Sequence, residues 1–111
     1  MTPQEFKTVL QKHPTVLVKF SAKWCGPCKA MEPGLVELEA QSDFPPVVRV
    51  DVEDDMDVAT QYNIRAMPTL MLFENAQAVK TQVGALSMSQ LQSFVHDRES
   101  PQATTSLSLQ Y

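Results

Sequence analysis

The sequence lacks most of what would tie a chain to a metal, a membrane or a nucleic acid. It has two cysteines and two histidines in 111 residues, and His13 and His96 stand far apart. Zinc takes four ligands, usually as two short-spaced pairs, so at most half a site is present. The disulfide frameworks of small secreted domains need more cysteines than this. No apolar run approaches the ~18 residues of a membrane span. Met1-Thr2-Pro3-Gln4-Glu5-Phe6 has neither the basic nor the apolar region of a secretory signal, which makes the cytoplasm the expected compartment. Basic residues are outnumbered, 9 Lys+Arg against 13 Asp+Glu for a net charge of −4. That balance argues against nucleic acid and anionic membrane as main partners. Glycine is scarce, at three residues, and no internal repeat is visible.

With 43% hydrophobic and 20% charged residues, the chain has the material for one compact domain with its own core. Thr2-Pro3-Gln4-Glu5 reads as a capped helix start, followed by Phe6, Val9 and Leu10 at helical spacing. Residues 15–21 form a β-branched, nearly continuous apolar run that suits a central strand covered on both faces. A helix from about Gly26 to Gln41 follows, interrupted by Pro33-Gly34. A second strand covers Val47 to Val52. Glu53-Asp54-Asp55 reads as capping and dipole complement for a helix containing Val58, Ala59 and Tyr62. Residues 69–73 and 78–83 form a hairpin whose turn, Asn75-Ala76, has alanine where glycine would favour tightness. Ser87-Met88-Ser89-Gln90 caps a last helix through Leu91, Phe94 and Val95. The order αβαβαββα implies an α/β layer fold with one right-handed parallel crossover and one hairpin. Residues 1–98 make the expected domain, and 99–111 a polar tail.

The two cysteines form one Cys-x-x-Cys, Cys25 and Cys28. It reads as a redox dithiol, half a zinc site or two buried thiols, and its placement favours the first. Trp24-Cys25-Gly26-Pro27-Cys28 lies where a strand ends and a helix begins, and a helix N-terminus stabilises an anion. Cys25 is then the outer, attacking thiol, with its pKa lowered from ~8.5 towards ~7. Cys28, one turn inside, resolves the mixed disulfide. Pro27 presets helical φ, and Gly26 is expected to let the loop pass close to the sulfurs. The six methionines read as core filler.

Trp24 to Lys29 resembles the active-site signature of the thioredoxin family. Pro33, Met67-Pro68-Thr69, Val83-Gly84-Ala85 and Val50-Asp51-Val52 are similar to further features of that family, and the resemblance covers about residues 2 to 98. It implies a thioredoxin fold, with a central mixed sheet of about four strands flanked by helices. It also implies a thiol–disulfide oxidoreductase that reduces protein disulfides through Cys25 and Cys28. No bound cofactor or metal is implied; the reducing equivalents would come from NADPH through a thioredoxin reductase. Trp24, Gly26, Pro27, Ala66, Met67, Pro68 and Gly84 would form the docking surface for disulfide-containing proteins, with Pro68 in cis. Two alternatives remain beside the reductase: an oxidant or isomerase of altered potential, and a binding module whose thiols are dispensable.

The resemblance has three departures. Lys19 stands where the family usually carries a buried aspartate that shuttles a proton, and Arg49 where it tends to place a facing lysine. Either Lys19 threads its stem to the surface without effect, or its charge lowers the thiol pKa values and raises the reduction potential; a neutral, desolvated Lys19 would instead serve as the base for Cys28. The N-terminal strand common in the family is missing, which would leave Val47–Val52 an exposed edge. Leu107, Leu109 and Tyr111 alternate with Ser108 and Gln110 as a strand would. That tail is either loose or pairs with an edge in its own chain or a neighbour's, so the expected state is a monomer or a tail-mediated dimer.

Overall fold

The computed structural model describes residues 1–97; the expectations for the tail fall outside them. The elements are α1 (Pro3–Gln11), β1 (Thr15–Ser21), α2 (Gly26–Glu39), β2 (Val47–Asp51), α3 (Met56–Gln61), β3 (Thr69–Glu74), β4 (Gln77–Val83) and α4 (Met88–His96). Their order and type are as the residue pattern predicts. The helix after Cys25 stops two residues before the expected Gln41, and Tyr62 caps α3 rather than lying inside it.

The sheet runs β2-β1-β3-β4, with β1 parallel to β2 and antiparallel to β3. Its central strand β1 is covered on both faces, which is why its apolar run is continuous. Val16, Val18 and Phe20 join Met71 and Phe73 against α1 and α3. Leu17 turns the other way, to Leu70 and Leu72 beneath α2 and α4. On the first face Phe6, Tyr62 and Phe73 meet edge to face, with ring centroids 5.5 to 5.9 Å apart. Each such pair contributes about 0.5–1.5 kcal/mol beyond its buried area. On the second face Gly34 brings the helices together: a Cβ there would lie 2.8 Å from Met88 Cγ. β2 is an outer strand of the sheet that the described residues form.

Both capping boxes form. Thr2 and Glu5 exchange hydrogen bonds, as do Ser87 and Gln90. The acidic cluster does not act as expected. Asp55 is the N-cap of α3 but makes no side-chain cap bond. The turn is organised by Asp51, whose Oδ1 accepts the N–H groups of Glu53 and Asp54 at 2.9 and 3.0 Å. These bonds hold the Asp51 carboxyl below its ordinary pKa. The β3–β4 turn is tight despite its alanine: Asn75 and Ala76 both take positive φ, 53° and 66°.

Candidate active site

β1 delivers the chain to Ala22, and α2 begins four residues later at Gly26. Cys25 is the N-cap of α2, and its Sγ accepts the Cys28 N–H at 3.2 Å. The sulfur thus takes the place a serine or aspartate oxygen normally holds at a helix start. Cys25 and Cys28 are disulfide-bonded, with Cα atoms 5.3 Å apart. The two residues differ little in exposure, 4% against 2%. What separates outer from inner cysteine is position: Cys25 caps the helix, while Cys28 lies within its first turn. Gly26 corrects an expectation, since a Cβ there would meet nothing within 4 Å and no close approach requires the glycine.

Around the pair lie the other residues singled out from sequence. Trp24 is 65% exposed, with its Nε1 donating to Glu53 Oε2 at 3.2 Å. Lys23 pairs with Asp54 at 2.8 Å, which raises its pKa. The Met67–Pro68 peptide bond is cis, and Met67 packs against the cluster of Ala22, Cys25 and Cys28. Gly84, at φ 104°, donates its N–H to the Pro68 carbonyl at 2.8 Å. Ala66 accepts from Thr69 Oγ1 at 2.6 Å. These bonds tie positions 66–69 and 84 into one loop pair, which Met67 joins to the cysteines. Among the described residues no group of three or more His, Cys, Asp or Glu side chains is placed to hold a metal ion.

Lys19 is buried, with 3% of its surface exposed. It does not thread its stem freely to the surface. Its Nζ donates to Glu32 Oε2 at 2.5 Å and to the Cys28 carbonyl at 2.9 Å. Glu32, which motif reading missed, also accepts from Arg49 Nε at 2.6 Å. Arg49 in turn makes a two-point contact with Glu39, at 2.9 and 3.2 Å. The sheet register explains this: Lys19 stands opposite Arg49 on one side and Leu70 on the other, all in one row. Two cations side by side under α2 need counter-charges, and α2 supplies them from Glu32 and Glu39. Burial works to raise the Glu32 carboxyl, but hydrogen bonds from Lys19 and Arg49 outweigh it and hold the pKa below its ordinary value. Arg49 is raised, chiefly by Glu39.

The family model described as Thioredoxin matches residues 1–97. The chain belongs to the thioredoxin family. It is 48% identical to thioredoxin-2 of Pyricularia oryzae over 74% of its length, although it spans only 48% of that protein. It is 44% identical to thioredoxin 1 of Synechococcus elongatus, over 82% of this chain and 87% of the relative. The structure of Plasmodium falciparum thioredoxin superposes with a TM-score of 0.80 at 31% identity, covering 88% of this chain and 95% of that one. Family and disulfide together make the chain a thiol–disulfide oxidoreductase of the protein-disulfide reductase type.

Proposed function

We propose that the chain works in the cytoplasm as a monomeric protein-disulfide reductase, recharged from NADPH through a thioredoxin reductase. The observation that carries this reading is the Cys25 sulfur at the N-cap of α2, hydrogen-bonded to the Cys28 N–H. In the reduced chain that position favours a Cys25 thiolate. The thiolate attacks one sulfur of a substrate disulfide, and the other sulfur leaves as a thiolate that takes a proton from water. Cys28, once deprotonated, attacks Cys25 Sγ. The Cys25–Cys28 bond forms, the Cys25–substrate bond breaks, and its electron pair leaves with the substrate sulfur. The chain is oxidised by two electrons and the substrate disulfide reduced by two. Exposed Trp24, Gly26, Pro27 and Ala66, with half-buried Met67 and Gly84, form the docking surface for substrate and reductase, and Pro68, which is buried, supports it from beneath.

The reductase potential, rather than that of an oxidant or isomerase, follows from charge. An uncompensated Lys19 would stabilise thiolates and raise the potential. Glu32 matches that charge at 2.5 Å, so the expected potential is near the ~−270 mV of reducing thioredoxins. Equilibration against dithiothreitol buffers, followed by Trp24 fluorescence, measures it. A value above about −200 mV would favour the oxidant or isomerase instead. Cytoplasmic-type thioredoxin reductase with NADPH and insulin as substrate tests the electron source: NADPH oxidation should require the chain and vanish in Cys25→Ser.

A further inference from the structure

The sheet ends on two strands, β2 and β4, and only β4 is made unfit for a further neighbour. It carries a register shift opposite Leu72 and Phe73, and a buried Lys80 beneath the end of α4. A bulge and an inward charge are two of the devices that blunt a sheet edge. β2 has no such irregularity and pairs with β1 in unbroken register from Leu17↔Val47 to Ser21↔Asp51. Its one cation, Arg49, is held by Glu32 and Glu39 of α2. The Leu17 N–H donates to the Pro46 carbonyl and the Val52 N–H to the Ser21 carbonyl, both at 2.9 Å. In a parallel ladder this phase turns residues 46, 48, 50 and 52 towards β1 and leaves the amides of Val47, Arg49 and Asp51 on the outer side. Among the described residues no strand pairs with them.

We propose that a segment of this chain's own tail, Ser106–Tyr111, pairs in parallel with β2 along that outer side as a fifth strand. The hand of the connection selects this edge. β4 runs parallel to β1 and β2, because β3 is antiparallel to both β1 and β4, and α4 lies on the same face as α2. A chain that leaves β4, descends through α4 and returns outside β2 crosses the sheet in the direction of β1–α2–β2. It therefore has the same hand, the right-handed one of nearly all such connections. A parallel return at the free edge of β4 would have the opposite hand. The tail also starts in the right place. His96 Nε2 lies 3.7 Å from Asp43 Oδ2, just ahead of β2, and His96, Asp43, Pro45 and Pro46 line one cavity of about 350 Å³. The reach suffices: from β4 to a position outside β2 is about 19 Å, and residues 98–105 extend to about 26 Å. Pro101, which cannot donate to a ladder, falls in that connection. Leu107, Leu109 and Tyr111 alternate with Ser106, Ser108 and Gln110. The apolar set would continue the row of Val48 and Val50 on the face that α1 and α3 cover, with the polar set beside Arg49.

Nuclear magnetic resonance on the full chain tests the pairing. Backbone nuclear Overhauser contacts are expected between Ser106–Tyr111 and Val47–Asp51, and the Val47 and Arg49 amides should exchange slowly with solvent. Leu109→Pro, which disrupts a strand, should speed exchange at Val47 and Arg49 by about tenfold or more, with a smaller effect at Val48 and Val50, which bond to β1. Gln102→Pro, in the connection, should leave all four rates unchanged. Fast exchange at Val47 and Arg49 in the parent chain, without those contacts, overturns the proposal. Contacts from the tail to Gln77–Val83 overturn the choice of edge. Protection that grows with protein concentration, together with a dimer mass by light scattering, assigns the edge to a second copy and overturns pairing within one chain. The contacts are read on the parent chain, so a Leu109→Pro chain that fails to fold does not remove the test.

Discussion

The Sγ of Cys25 accepts the backbone N–H of Cys28 at 3.2 Å, so the N-cap of α2 is the sulfur proposed above as the nucleophile. A thiolate is a stronger acceptor than a disulfide sulfur, and the bond should tighten on reduction. The Cys25 thiol should therefore titrate below the ~8.5 of an ordinary cysteine. The pH dependence of iodoacetamide alkylation, with the modified residue located by mass spectrometry, checks this. A midpoint close to the ordinary thiol value would mean that the helix start contributes nothing.

Lys80 is the other buried ammonium. It reaches from β4 to the end of α4, donating to the Phe94 carbonyl at 3.0 Å and also to the Asp97 carbonyl. Its Nζ lies 5.7 Å from the Phe94 ring centroid. Lys80→Met keeps the apolar stem but removes the charge that holds the helix C-terminus. The loss should be about 1–2 kcal/mol. Urea unfolding should show a lower midpoint with an unchanged slope, and the Cys25–Cys28 potential should not move.

At the β3–β4 turn, Ala76 has φ 66°, a conformation that costs an L-residue about 1–2 kcal/mol. Its methyl packs partly against the core, and losing a fully buried CH₂-sized group would cost about 0.8 kcal/mol. The conformational gain is the larger, so Ala76→Gly should stabilise the chain by about 0.5–1 kcal/mol. A fall in the thermal midpoint would show that the methyl contact outweighs the backbone.

Glu32 also shapes stability in acid. Its folded pKa is held below the unfolded value of 4.5 by Lys19 and Arg49. Stability from this group is therefore complete above about pH 5 and is lost as pH falls through the folded pKa. Glu5 and Asp51 are depressed too, so the acid limb of the parent chain is shared. The difference in unfolding free energy between parent and Glu32→Gln isolates the contribution: it should shrink as pH drops below about 4.5. A constant difference from neutral pH into acid would contradict the depressed pKa.

The fold and the dithiol were legible because they rest on local signals. Periodicity placed every helix and strand, and Cys-Gly-Pro-Cys at a strand-to-helix junction stated its chemistry without reference to distant residues. The partner of Lys19 was not legible in the same way. Glu32 belongs to no motif and reads as one of several charged residues on α2. Its meaning comes from sheet register, which sets Lys19 beside Arg49 beneath one face of α2. One signal was available: a lysine inside an apolar strand demands a counter-charge, and residue 32 shares a helix face with Cys28. Lys80 escaped notice for a similar reason. The pairing steps from Leu72↔Lys80 to Phe73↔Ala78, leaving Val79 unopposed and interrupting the alternation that would otherwise reveal an inward-facing lysine. Asp55 misled because an acidic run before a helix resembles a cap, whereas Asp51 had already claimed the turn's N–H groups.

The shared carboxylate beneath α2 also limits how this chain can change. Since Lys19 and Arg49 both lean on Glu32, positions 19, 32 and 49 cannot drift one at a time. Lys19→Asp alone sets two carboxylates against each other. Glu32→Ala alone leaves the buried Lys19 ammonium without a counter-charge, bonded only to the Cys28 carbonyl, and should destabilise the fold. Made together, the two substitutions leave Arg49 between Glu39 and a carboxylate from β1 in place of Glu32, and should cost less than the sum of the separate changes. The three positions are coupled in energy, so paired changes at 19 and 32 should be better tolerated than either change alone.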